Sequence, residues 1–364
     1  MTQNSKKNRI IFIDLMRAFA VLMMVQGHTV DVLLSTQFRD PESPFFMVWN
    51  FMRGMTAPIF LFTSGNVFTY LFKLADQPFG NNPRTKKGIK RFLLLVFLGY
   101  FLRYPSATII NFSNVRPDQW RTFWAVDVLQ LIGFGILFLM AFIYLSEKIN
   151  FNSYVVLTTG FFLFIGLSPV FSFIHWQNFL PVPVAGYLNS ETGSNFPLFP
   201  WVAYVLAGGM LGNYLAKNAM VFKSSLFSLK LAIVGASLIL FSLIGNIAET
   251  HIFGQSYLWT ISPNLVFLRL GIVLILNSIV SLFSIKVDSI PRVVILVGRN
   301  TLLIYIVHVV ILYGSVWTSG IIVLFYDSFN IWMTIGSVII MLLLMIGMVE
   351  VIHKFKVRNK ELVT

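Results

Sequence analysis

IIFIDLMRAFAVLMMVQGHTVDVLL, residues 10–34, decides the fold. At about 1.5 Å of rise per residue, an apolar helix of this length spans the roughly 30 Å hydrocarbon core of a bilayer. Nine further apolar runs follow: Phe46–Phe72, Gly88–Tyr104, Thr122–Leu145, Tyr154–Ile174, Leu198–Ala216, Leu226–Ala248, Asn264–Phe283, Val293–Trp317 and Ile331–Ile352. The chain of 364 residues is 57% hydrophobic and only 11% charged, against about 25% charged in ordinary soluble domains. A soluble fold could not hide that much apolar surface. The expectation is an all-α integral membrane protein, a polytopic bundle of about ten transmembrane helices forming a single domain over residues 1–364.

The net charge of +13 suggests nucleic acid at first sight, but the basic residues sit in the short segments between apolar runs, which is the signature of topology. Lys6, Lys7 and Arg9 precede the first run. Arg84, Lys86, Lys87, Lys90 and Arg91 precede the third, Lys217, Lys223 and Lys230 follow the sixth, and Lys286 and Arg292 precede the ninth. Lys354, Lys356, Arg358 and Lys360 follow the tenth. Because Lys and Arg stay on the cytoplasmic side, both termini are expected there, in a multi-pass protein of a bacterial cytoplasmic (inner) membrane. The intervening segments carry acids such as Asp31, Asp40, Glu42, Glu191 and Glu249, and His175–Pro197 reads as an irregular external loop. The N-terminal segment has no small-residue cleavage site, so no removable signal peptide is expected. With no cysteine there is neither a disulfide nor a thiol nucleophile.

Ionisable groups at bilayer depth cost about 2.5–3.5 kcal/mol each on insertion scales, so they face the bundle interior with a partner or a function. In the first run Asp14, Arg17 and His28 fall within about 60° of one another at 100° per residue. Arg17 and His28 are about 16 Å apart along the axis. Asn50, Arg53, Arg103, Asp127, Gln130 and Arg269 lie in the same half of the bilayer as His28. His308, some 15 residues into the ninth run, reaches the depth of His28, while Arg299 and Asn300 join Asp14 and Arg17 at the other end. Plainer readings stand beside these. Arg53, Arg103 and Arg121 can snorkel to headgroups, Asp14 with Arg17 fits a structural ion pair, and His175, His251 and His353 fit a solvated surface. No metal site is expected, because His28, His308, Asp31 and Asp127 have no ligand spacing.

The stretch RIIFIDLMRAFAVLMMVQGH (9–28) resembles the first-span signature of the membrane acyltransferases that use a coenzyme A donor. MTAPIFLFTSGN (55–66), DVLQLIGFGIL (127–137), LFPWVAYVLAGGMLG (198–212) and VGRNTLLIYIVH (297–308) resemble, in order, blocks of the heparan-α-glucosaminide N-acetyltransferase-like branch of that superfamily. The resemblance implies transfer of an acetyl group from cytoplasmic acetyl-CoA to a hydroxyl or amino group of a sugar or other envelope acceptor across the membrane. For such a transfer the chemistry of the residues themselves suggests His28 as the general base, or else a transient acyl carrier, and His308 as the alternative base. Arg53 or Arg269 stabilises the oxyanion, and Asp127 orients a histidine. Asp14, Arg17, Arg299, Asn300, Lys86, Lys87, Lys90 and Arg91 would hold the donor, the basic groups meeting its phosphates. The implied partners are acyl-CoA, a glycan acceptor and the lipid bilayer, with no nucleic acid. The rival class is a secondary transporter with an Asp/Arg/His relay, and a third is a non-catalytic lipid- or glycan-binding regulator.

Overall fold

A computed structural model gives the structure at residues 11–218, 220–259, 262–287 and 290–361, the side chains of 359–361 excepted. Lys6, Lys7 and Arg9, together with the Lys360 side chain, lie outside the described residues. The helices in chain order are α1 (Ile11–Leu33), α2 (Pro44–Gly54), α3 (Thr56–Lys73), α4 (Pro83–Leu102), α5 (Pro117–Trp124), α6 (Val128–Lys148), α7 (Ser153–Phe173) and α8 (Val182–Ala185). Then come α9 (Leu198–Lys217), α10 (Ser225–Phe253), α11 (Asn264–Lys286), α12 (Arg292–Arg299), α13 (Thr301–Tyr313), α14 (Ile322–Phe325) and α15 (Ile331–Glu361). A two-residue hairpin, Gly314–Ser315 with Thr318–Ser319, follows α13.

Among the described residues eight helical stretches are long and apolar enough to cross a membrane, and a ninth is the pair α12 and α13, bent by 76°. Helix α4 has the length, but Arg84, Lys86, Lys87, Lys90 and Arg91 crowd its first half. Local chemistry sets the helix starts. Asn82 accepts the Arg84 N–H at 2.9 Å with Pro83 in the first turn, and Asp127 accepts the Val128 N–H at 2.8 Å. The ninth run, expected as one span over Val293–Trp317, is instead broken after Arg299, where the Asn300 amide donates back to the Leu296 carbonyl at 2.8 Å. The side chain thereby competes with continuation of the helix.

The residues cluster into two compact units, one of Pro58–Lys286 and one combining Ile11–Ala57 with Val287–Thr364. In the second unit α1 packs against α12, α13 and α15. The approach of α12 needs glycine: a Cβ at Gly298 would lie 2.3 Å from the Asp14 carbonyl oxygen. The segment after α1 pairs with the one before α15, Ser35 N donating to Phe329 O at 2.9 Å and Phe329 N to Leu33 O at 2.8 Å.

In the first unit α6 packs against α4, α7 and α9, and α10 against α11. Helices α3 and α9 run parallel in backbone contact. A Cβ at Gly65 would meet Val205 O at 1.9 Å, and one at Gly208 would meet Phe62 O at 1.9 Å. Small residues of this kind let membrane helices approach closely. Beside the crossing, Thr69 is fully buried and, among the described residues, its hydroxyl has no hydrogen-bond partner. An unmet buried polar group costs about 1–3 kcal/mol, and an apolar group of the same shape avoids that cost. Thr69→Val is therefore expected to stabilise the protein by about 1 kcal/mol, read as a raised unfolding midpoint in detergent; a lowered midpoint would show that the hydroxyl has a partner.

Candidate functional site

The polar face of α1 is met at two levels by α13, which runs parallel to it. At the first level Arg17 Nη2 donates to Thr301 Oγ1 at 3.1 Å, at the bend between α12 and α13. Arg299, the last residue of α12, is exposed, and Asn300 and Asp14 are half-buried. Threonine at the first position of α13 is 7% exposed, so Arg17 reaches into a nearly closed part of the unit.

At the second level two histidines touch. His28 Nδ1 lies 3.1 Å from His308 Nε2, with 5.3 Å between ring centroids and 28° between the ring planes. His308 is fully buried, and its Nδ1 is 2.7 Å from the Ile304 carbonyl one turn earlier. Tyr305 sets an edge against His308 and Tyr313 an edge against His28, each at 5.8 Å between centroids. His28 is half-buried.

Helix α2 brings a cation to the same end of α1. Arg53 passes over Gly27, where a Cβ would come within 3.1 Å of its Cγ, and its Nε reaches Asp31 Oδ2 at 2.9 Å. Arg53 Nη1 donates to Asn50 Oδ1 at 3.2 Å, and its guanidinium lies 5.9 Å from the Trp49 ring centre. Among the described residues Nη2 of Arg53 makes no hydrogen bond. Around it, Arg39 donates to the Asp31 and Leu34 carbonyls, and Asp327 accepts from Thr36. Asp31 lies three residues past His28, so its place on this face could have been read from the sequence; Thr301, Tyr305 and Tyr313 carried no signal beyond ordinary helix residues.

The remaining candidates lie in the other unit. Asp127 Oδ2 accepts from Arg103 Nη2 at 2.8 Å, both side chains about one-fifth exposed, while its Oδ1 caps α6. Arg269 lies 5.5 Å from the Trp201 ring centre. Lys86, Lys87, Lys90 and Arg91 are exposed along the first half of α4. Among the described residues no group of three or more His, Asp or Glu side chains is placed to hold a metal ion.

Paired imidazoles, a fixed guanidinium and a carboxylate at one end of a polar helix face can move a proton and stabilise a developing oxyanion. The family model described as heparan-alpha-glucosaminide N-acetyltransferase, catalytic, matches residues 9–247, more than half of the chain. No curated protein matches.

Proposed function

The chain belongs to the heparan-alpha-glucosaminide N-acetyltransferase catalytic family, a family of membrane acetyltransferases, and from that premise we propose how it works. The donor is acetyl-CoA entering from the cytoplasm, and the acceptor is an amino or hydroxyl group of a sugar or other envelope molecule at the outer half of the membrane. The observation that carries this reading is the contact of His28 with His308 at 3.1 Å beside the Arg53–Asp31 pair. Such a set can take a proton from a weakly acidic acceptor as it attacks.

His28 is the base. Arg53, whose Nη2 makes no hydrogen bond among the described residues, supplies a donor for the thioester oxygen as it becomes an oxyanion. At the other level Arg17, with Asp14, Arg299 and Asn300, lines the cytoplasmic entrance, and the phosphates of the donor meet Arg17 and Arg299. Lys86, Lys87, Lys90 and Arg91, exposed along the first half of α4, attract the polyanionic donor by long-range field. Beside the eight apolar stretches and the bent pair, we take α4 as a further span and both termini as cytoplasmic, a reading supported by the length of α4 and by the basic connecting segments.

The test is purified protein in nanodiscs with acetyl-labelled coenzyme A, followed by calorimetry and by release of free thiol with and without glucosamine. Saturable binding with acceptor-stimulated release is expected. A folded protein that neither binds nor cleaves acetyl-CoA would overturn the reading in favour of transport, and uptake into vesicles would then be measured. Within the site, Arg53→Gln should lower turnover by about 10²-fold with little change in KM for acetyl-CoA, as for loss of one oxyanion donor; unchanged turnover would remove Arg53 from that role.

A further inference from the structure

A neutral imidazole carries one N–H and one lone pair, and which nitrogen holds the proton follows from its partners. The Ile304 carbonyl can only accept. His308 Nδ1, 2.7 Å away, therefore carries the proton and donates it. That leaves Nε2 of neutral His308 as an acceptor. The only hydrogen bond consistent with 3.1 Å to His28 Nδ1 is then one donated by His28, which makes Nε2 the basic nitrogen of His28.

We propose that His308 is a positioning residue: held by the Ile304 carbonyl, it fixes His28 in the tautomer and ring orientation that present a basic Nε2. The inference rests on the acetyl-transfer reading for its chemistry but not for its geometry. His308 is fully buried, so its own nitrogens do not meet an acceptor molecule. Tyr305 and Tyr313 of α13 set ring edges against the pair, and Asp31, three residues past His28 on α1, holds Arg53 of α2.

In the reaction, the acceptor N–H or O–H proton passes to His28 Nε2 as the acceptor atom bonds to the thioester carbon. The carbonyl π pair moves to oxygen, returns as the C–S bond breaks, and the thiolate takes the proton back from Nε2. The products are the acetylated acceptor and free thiol. Throughout, the imidazolium of His28 keeps its Nδ1–H on His308 Nε2, and the Ile304 carbonyl keeps His308 from turning. A backbone carbonyl cannot ionise or swing away, so the orientation does not depend on a second charged residue.

Two readouts decide it. Long-range proton–nitrogen correlation spectra of histidine-labelled protein near neutral pH should show both His28 and His308 as Nδ1–H tautomers. A proton on Nε2 of either ring, or on both nitrogens, overturns the assignment whether or not the protein transfers acetyl groups. For turnover, with acetyl-CoA and glucosamine as probes, His308→Phe fills the space but offers no acceptor, and should lose about 10²-fold in kcat. His308→Gln, whose amide oxygen can accept from His28, should recover to within about tenfold of wild type. Full activity in His308→Phe, or a loss in His308→Gln as deep as that of a His28→Ala variant, overturns the role.

Discussion

A His28→Ala variant is expected to transfer acetyl groups about 10²- to 10⁴-fold more slowly than the wild-type protein, the range lost with a general base. The substitution removes the proposed base and leaves His308 in place, because His308 is fully buried and tied to the Ile304 carbonyl. Its Nε2 cannot take over without reaching the acceptor itself. Binding of acetyl-CoA should be little changed, since Arg17 and Thr301 meet 11 residues earlier on α1, about 16 Å away along the axis. The measurement is thiol release against acetyl-CoA concentration, with calorimetric binding on the same preparation. Added imidazole should restore part of the rate, as the cavity left at position 28 is beside the reaction. The alternative role as acyl carrier gives a different signature: wild-type protein given acetyl-CoA without acceptor would release a burst of thiol and hold an acetyl group on His28, visible by mass spectrometry. Undiminished activity in the variant would remove His28 from either role.

The second large effect is structural. Gly208→Ala is expected to destabilise the protein by about 3 kcal/mol, at the upper end of ordinary overpacking costs. The new methyl would sit 1.9 Å from Phe62 O and 2.7 Å from its carbonyl carbon, and both are backbone atoms. No side chain can turn aside. Helices α3 and α9 must separate, and Gly65 against Val205 O separates with them. Combining Gly65→Ala with Gly208→Ala should therefore cost less than the sum of the two, because either one already opens the crossing. Gly336→Ala in α15 is the control: no atom lies within 4 Å of its Cβ position, and alanine favours helix by up to about 1 kcal/mol. Thermal unfolding in detergent distinguishes these outcomes, and equal midpoints for Gly208→Ala and Gly336→Ala would mean that the crossing is soft.

Much of the second unit could be read from residue spacing. The intervals between Asp14, Arg17 and His28 put them on one face of α1, and counting rise along the ninth run brought His308 to the depth of His28. What spacing could not show was the 76° break before Thr301, since residues on both sides of Arg299 and Asn300 are equally apolar and the break depends on a local bond from Asn300 to Leu296. The partner of Arg53 was also hidden. Spacing puts Asp31 on the face of His28 near the end of α1, but Asp40 and Glu42 lie close by in sequence, and only the path of Arg53 across Gly27 selects Asp31 as its partner. Asp127, read as a group to orient a histidine, has one oxygen on Arg103 and one on the start of α6, a choice made by the approach of α4 to α6. The crossing of α3 and α9 was visible only as glycines near Asn66 and Asn213, because close approach depends on which helices meet.

The two rungs that tie α1 to α13 are separated by 11 residues on one rail and seven on the other. These correspond to about 16 Å and about 10 Å, a mismatch that the length of the Arg17 side chain takes up. The constraint this places on the chain is arithmetical. Apart from Gly27, over which Arg53 passes, and Tyr305, which packs on His308, any apolar residue that suits the lipid or the core can stand between the rungs, but a single insertion in either segment swings the next rung by about 100° and removes it from its partner. The gauge is kept by count more than by identity, so most apolar exchanges within either segment should leave both rungs standing where a one-residue insertion breaks the second.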